Sequence, residues 1–205
     1  RRGRIHQDFR LRAHGGQFHW MNIKARPVIG NDGEVIRCVG TIADVTDKRV
    51  SRERLLHDAI HDNLTGLPNR ELLHDRMRAA ISLAQSNARL KPSLFVIDFD
   101  RFSEVNDKMG FSVGDSILLT MARRLGRLLK PQDCLARLGG DQFALLLLSE
   151  YEPERIATIA DAFQRAIKSP VSFSDQEIFI TASIGLVSWS AELQKPEQMI
   201  KDAEI

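Results

Sequence analysis

With 205 residues, 43% of them hydrophobic, the chain has room for one medium globular domain and part of a second. Its 29 basic and 27 acidic residues leave a net charge of +2, which lacks the basic surplus of a polyanion binder and argues against a nucleic-acid partner. No apolar run has the length of a membrane span and no signal-peptide pattern opens the chain, so a cytoplasmic location is expected. The chain opens on Arg rather than Met and reads as a piece of a longer protein, with the Arg-rich start (Arg1, Arg2, Arg4, Arg10, Arg12) as a solvated face. Cys38 and Cys134 each fall inside an apolar strand pattern, and both are expected to be buried free thiols.

Residues 5–46 alternate as strands, 9–13, 18–28 and 35–45, separated by turns at His14-Gly15-Gly16 and Asn31-Asp32-Gly33. The spacing predicts a three-stranded antiparallel meander with Ile36, Cys38, Gly40 and Ile42 on one face. At Trp20, Ala25-Arg26-Pro27-Val28, Gly40-Thr41-Ile42 and Asp44-Val45-Thr46-Asp47-Lys48 this stretch resembles the C-terminal half of a PAS sensor domain. The resemblance implies a sensory role for residues 1–47, without the N-terminal half that supplies helices around a ligand cavity. Residues 48–61 turn helical, with a narrow stripe of Val50, Leu55, Leu56, Ala59 and Ile60 that suits either a two-helix seam in a homodimer or a plain connector. His57 and His61 stand at i, i+4 with no third metal ligand evident nearby.

Asn69 is placed to cap a helix carrying Leu72, Leu73, Met77, Ala80, Ile81 and Ala84. A buried strand at residues 93–98 ends in Asp98-Phe99-Asp100, and residues 101–110 read as a turn region. A helix with Ile117, Leu118, Met121, Leu125, Leu128 and Leu129 then runs to Pro131. Cys134-Leu135-Ala136 and residues 143–148 flank Gly139-Gly140-Asp141-Gln142, the pattern of a hairpin whose glycines let backbone amides approach an anion. Period-two alternation sends Asp98 and Asp100 to one side, where one or both could meet Asp141 with a cation between them. By the same alternation Gln142 would point away from a metal held by Asp141. A third helix (Ile156, Ile159, Ala160, Phe163, Ala166, Ile167), strands at 171–173 and 177–187, and a helix from 196 complete an α+β, split βαβ fold, palm-like, with helices on one face of an antiparallel-centred sheet. Simpler roles remain open for single residues: Asp115 could cap a helix, Asn106-Asp107 could be turn chemistry, and Asp100 could bond backbone.

The run Asp62-Asn63-Leu64-Thr65-Gly66-Leu67-Pro68-Asn69-Arg70, then Asp98-Phe99-Asp100, Asn106-Asp107, Gly114-Asp115, the Gly139-Gly140-Asp141-Gln142-Phe143 hairpin and Ala182-Ser183-Ile184-Gly185 resembles the GGDEF family of diguanylate cyclases, which condense two GTP into cyclic di-GMP. The resemblance assigns residues 62–205 to such a domain, truncated at its C-terminus. It implies Mg²⁺ (or Mn²⁺) on Asp98, Asp141 and the Phe99 carbonyl, and Asp141 as a catalytic residue. It also implies substrate contacts at Phe102, Ser103, Asn106, Asp115, Gly139 and Gly140, with Asn106 and Asp115 on the guanine edge. Three departures stand out: Gln142 where the family has Glu, Ser103 where it has Lys, and an end at residue 205 ahead of a phosphate-binding Lys. The inhibitory Arg-x-x-Asp of the family is Lys130-Pro131-Gln132-Asp133, and Lys lacks the planar fork for high-affinity cyclic di-GMP. The expectation is a cyclic di-GMP signalling domain that binds GTP-Mg²⁺ with weak or absent cyclase activity and regulates a following domain such as an EAL phosphodiesterase. An active cyclase and a relay module that binds no nucleotide are the alternatives.

Overall fold

The computed structural model describes residues 3–87, 89–174, 176–190 and 195–204; Arg1 and Arg2 of the basic start, and Ile205, lie outside the described residues. The contacts divide the chain into two compact units, Arg1–His57 and Asp58–Ile205. No helix among the described residues is long and apolar enough to cross a membrane.

The first unit is an antiparallel sheet of β1 (Ile5–Arg12), β2 (Phe18–Ile29) and β3 (Val35–Asp44), in that order, followed by α1 (Thr46–Asp58). Gly40 of β3 faces Ala25, and a Cβ there would lie 2.2 Å from the Lys24 carbonyl oxygen, so only glycine permits this approach. The Trp20 amide donates to Thr46 Oγ1 at 2.8 Å, the Arg49 guanidinium lies 4.0 Å from a Trp20 ring centroid, and Arg49 pairs with Asp8 at 2.7 Å. These contacts fasten the first turn of α1 to the sheet. Cys38 is exposed, against expectation, because no described chain covers any residue of β3. Nor do His57 and His61 share a helix: α1 ends at Asp58, and His61 forms an isolated bridge with Pro68.

In the second unit α2 (Arg70–Ser86) begins where Asn69 accepts a capping bond from the Leu72 amide at 3.2 Å. β4 (Ser93–Phe99) leads into α3 (Phe102–Met109) and α4 (Phe111–Gly126). The hairpin strands β5 (Cys134–Gly139) and β6 (Gln142–Leu147) precede α5 (Pro153–Lys168), the short pair β7 (Val171–Phe173) and β8 (Gln176–Ile178), then β9 (Ala182–Ser188) and α6 (Pro196–Ala203). The main sheet has the order β5-β6-β4-β9, antiparallel throughout, which makes the unit α+β with a split βαβ topology.

Helices cover both faces of this sheet, not one. Phe95 and Ile97 of β4, with Leu135, Phe143 and Leu145, pack among Ile117, Met121 and Leu125 of α4 and Phe163 of α5. Leu94 and Val96, with Ala136, Ala144 and Leu146, pack among Leu73 and Met77 of α2 and Met199 and Ile200 of α6. The unbroken apolar run of β4 leaves neither face fit for water, so both have to be buried.

Three local expectations change. Residues 102–109 form a helix because Phe102, Val105 and Met109 fall at helical spacing and pack on the first core. The predicted strand over 177–187 is two strands in two sheets, β8 pairing β7 and β9 pairing β4. The helix after α3 ends at Gly126 rather than at Pro131. Arg124 near its C-terminus donates to the carbonyls of Ala166, Ser169 and Pro170, closing the end of α5.

Candidate functional site

The C-terminal end of β4 carries the acids of the site. Phe99 is buried, edge-on to Phe143 at a centroid distance of 5.6 Å, and this anchor turns Asp98 and Asp100 outward on either side of it. An open cleft of about 760 Å³ lies there, lined by Asp98, Phe99, Asp100, Arg101, Asp141 and Thr181. The first unit holds another hollow of about 520 Å³ between Ile5, Ala25, Val39 and Gly40, but no acids converge on it.

The three acids of the cleft are not equivalent. Asp100 accepts bonds from the hydroxyls of Thr181 (2.5 Å) and Ser183 (2.9 Å), which hold its carboxyl below the usual carboxylate range. Its side chain is therefore occupied in joining β4 to the approach and start of β9. Asp98 is pushed above the usual range, first by burial and then by the negative charge of Asp141, with a smaller push from Asp100. Asp98 and Asp141 thus repel one another across the cleft, a pair of charges that a divalent cation beside the Phe99 backbone would neutralise. Among the described residues no three His, Cys, Asp or Glu side chains form a ready metal cage, so two carboxylates and a backbone carbonyl are the available donor set.

Gln142 faces the same point. In the ladder Asp98 stands opposite Gln142, whose Nε2 donates to Asp98 Oδ2 at 3.4 Å. Strand alternation does not separate residues 141 and 142, because Asp141 belongs to the turn rather than to β6. An amide therefore sits against a carboxylate that a metal would use.

The hairpin tip is held from outside, by a contact that sequence reasoning missed. Gly139 (φ +140°) and Gly140 (φ +53°) occupy left-handed backbone. Arg137 donates to the Gly140 carbonyl through Nε (3.0 Å) and Nη2 (2.6 Å), and through Nη1 to both oxygens of Asp62 (3.0 and 3.1 Å). Asp62 also accepts from the amide and hydroxyl of Thr65, and the Arg137 amide donates to the Pro68 carbonyl. The Asp-x-x-Thr spacing in the sequence was a signal for the local turn, but nothing in it pointed to Arg137.

Asn106 of α3 lies against Gly114 of α4, the residue before Asp115. Asn106 Oδ1 is buried without a hydrogen-bond partner, and a Cβ on Gly114 would lie 1.9 Å from it. Asp115 is exposed in the second turn of α4, which starts at Phe111, so it does not cap that helix. Phe102 is buried and Ser103 exposed in the first turn of α3.

The sequence matches the family model described as "Diguanylate cyclase, GGDEF domain" over residues 59–205. The chain belongs to the GGDEF family. The GGDEF match extends to MucR of Pseudomonas aeruginosa, a bifunctional diguanylate cyclase/cyclic di-GMP phosphodiesterase, at 40% identity over 156 residues, 76% of this chain and 22% of MucR. The chain thus spans about a fifth of the length of that relative. Among solved structures, the GGDEF domain of TpbB from P. aeruginosa superposes with a TM-score of 0.66 at 34% identity, covering 70% of this chain and 83% of that one. The coiled coil and GGDEF domain of DgcB from Caulobacter crescentus, solved in complex with c-di-GMP, gives 0.68 at 26% identity, covering 78% and 84%. The chain therefore holds a GGDEF domain with a short β-sheet unit ahead of it in sequence.

In this GGDEF domain the stretch at the position of the inhibitory motif is internally committed. Asp133 is buried and accepts from the amides of Lys130, Leu148 and Ser149 and the Ser149 hydroxyl, which pins the loop before β5 to the end of β6. Lys130 is exposed.

Proposed function

We propose that the GGDEF domain binds GTP with Mg²⁺ (or Mn²⁺) at Asp98 and Asp141 and turns it over weakly or not at all. The observation that carries this reading is the Gln142 amide donating to Asp98, at a place where a further carboxylate would stand beside Asp98 and Asp141. In the condensation the 3′-hydroxyl of one GTP attacks the α-phosphorus of another and pyrophosphate leaves. Divalent metal supplies charge stabilisation for the non-bridging oxygens. Asp98, Asp141 and the Phe99 carbonyl would hold it, while the hairpin glycines and the amides of Phe102 and Ser103 admit phosphate. Gln142 can neither hold a negative charge nor accept a proton, which limits the step that needs both.

Asn106 and Asp115 fit the guanine edge, since Asp accepts from two donors and the amide offers one of each kind. Gly114→Ala is expected to displace the Asn106 side chain and leave the fold standing, since the overlapping atom is the end of a side chain. GTP affinity should fall several-fold to about tenfold, with reduced preference over ATP, in calorimetric titration. Unchanged GTP affinity would remove Asn106 from the site. Cyclic di-GMP feedback through Lys130 and Asp133 is no part of this reading, because both Asp133 oxygens are taken.

The sheet of the first unit, with Trp20 held against α1, supports reading residues 1–47 as part of a PAS domain and α1 as the relay, in a cytoplasmic homodimer that pairs through it. Two facing copies would bring two GTP molecules head to tail. The cyclase/phosphodiesterase pairing in the name of MucR supports a following phosphodiesterase domain as the regulated partner. The test is full-length protein with GTP and Mg²⁺: heat of GTP binding with little cyclic di-GMP is expected. Robust turnover abolished by Asp141→Asn would replace this reading with an active cyclase, and no GTP heat would leave a relay module.

A further inference from the structure

Arg101 joins β4 to α3 with its backbone at φ 52°, ψ 33°, a left-handed conformation that costs any residue with a Cβ. Ser174, in the tight turn between β7 and β8, is the other non-glycine residue with positive φ among those described. Asp100 and Arg101 make the turn that joins β4 to α3, where the Arg101 carbonyl accepts from the Glu104 amide at 3.0 Å while its side chain makes no capping bond. Its guanidinium forms no hydrogen bond or ion pair with a described residue, although Asp98, Asp100 and Asp141 line the same cleft. It is the one basic residue among those lining that cleft. A free guanidinium beside carboxylates that repel one another is the mixed-charge arrangement a metal–polyphosphate satisfies from both sides, the cation meeting the acids and the phosphate meeting the fork. Ser103, exposed in the next turn, brings no charge of its own.

We propose that Arg101 is the triphosphate-binding cation of this chain, presented at the acidic cleft by the turn between β4 and α3. The proposal rests on the GTP reading above. A left-handed turn position filled by Arg, where glycine would cost less, points to a use for the side chain itself.

The test is calorimetric titration of the full-length protein with Mg²⁺·GTP and Mg²⁺·GMP, alongside thermal unfolding, for wild type, Arg101→Gln, Arg101→Lys and Arg101→Gly. Arg101→Gln should weaken GTP by about tenfold or more and GMP by less than about twofold, with Arg101→Lys between it and wild type. Arg101→Gly should lose GTP affinity as Arg101→Gln does, yet unfold at a higher temperature, because glycine tolerates the left-handed backbone. Wild-type affinity for GTP in Arg101→Gln, or equal losses for GTP and GMP, would overturn the proposal while the GTP site stands. Absence of GTP binding by wild type would overturn both.

Discussion

Gln142→Glu is expected to raise cyclic di-GMP formation from GTP and Mg²⁺ by between about tenfold and about a thousandfold over wild type. A unit charge ~4 Å from another is worth roughly 4 kcal/mol at an effective dielectric of 20, about three powers of ten in rate, and screening in an open cleft reduces that. The expectation rests on position: residue 142 stands opposite Asp98 in the ladder and already reaches its carboxylate at 3.4 Å. A third carboxylate there also adds repulsion to Asp98 and Asp141 when no cation is present. The variant should therefore unfold at a lower temperature than wild type without Mg²⁺ and recover when Mg²⁺ is added. Retained GTP binding with no gain in turnover would show that the missing charge is not what limits this domain.

Arg137→Ala has the largest expected effect on stability. The Arg137 and Asp62 side chains are 11% and 20% exposed, so their pairing is mostly desolvated, and the same guanidinium serves the Gly140 carbonyl. Breaking a fully buried pair costs about 3–5 kcal/mol; with the remaining exposure a loss of about 2–3 kcal/mol is expected, a fall of roughly 4–12 °C in melting temperature for a unit of this size. GTP affinity should fall too, because Gly140 immediately precedes Asp141. The pH dependence follows from Asp62. Burial alone would raise its carboxyl, but the Thr65 hydroxyl and amide and the Arg137 guanidinium outweigh it, leaving the folded value below the ordinary one. A lowered folded value means the stabilisation is complete above the unfolded carboxylate range near pH ~3.9 and lost as pH falls through the folded value. The gap between wild type and Arg137→Ala in denaturant unfolding should therefore be constant above about pH 6 and narrow below about pH 4. A gap that persists unchanged into acid would reject the ion pair as its source.

Much of the framework was legible in the residues because it is set by neighbours along the chain. The β4 run, the Asn69 cap and the glycine-pair hairpin each follow from patterns a few residues long, where side-chain periodicity and backbone freedom act locally. Residues 102–109 were not legible as a helix, since the stripe of Phe102, Val105 and Met109 is helical only once the α3–α4 pair has a core to rest on. The second helical layer behind the sheet was hidden for the same reason: α2 and α6 are far apart in sequence and come together only once both pack on the sheet, where His74 of α2 meets Glu197 of α6 at 3.3 Å.

By itself the sequence determined which acids were available, that an amide stands at residue 142, and that Ser103 carries no charge. The tertiary structure alone decided how they divide the work. Asp100 is drawn off by hydroxyls 81 and 83 residues away, Arg137 reaches an acid 75 residues away, and Gln142 meets Asp98 because the two are paired across the ladder. Hydrogen-bond and charge partners across a sheet are fixed by register, and register is settled only when the strands have packed.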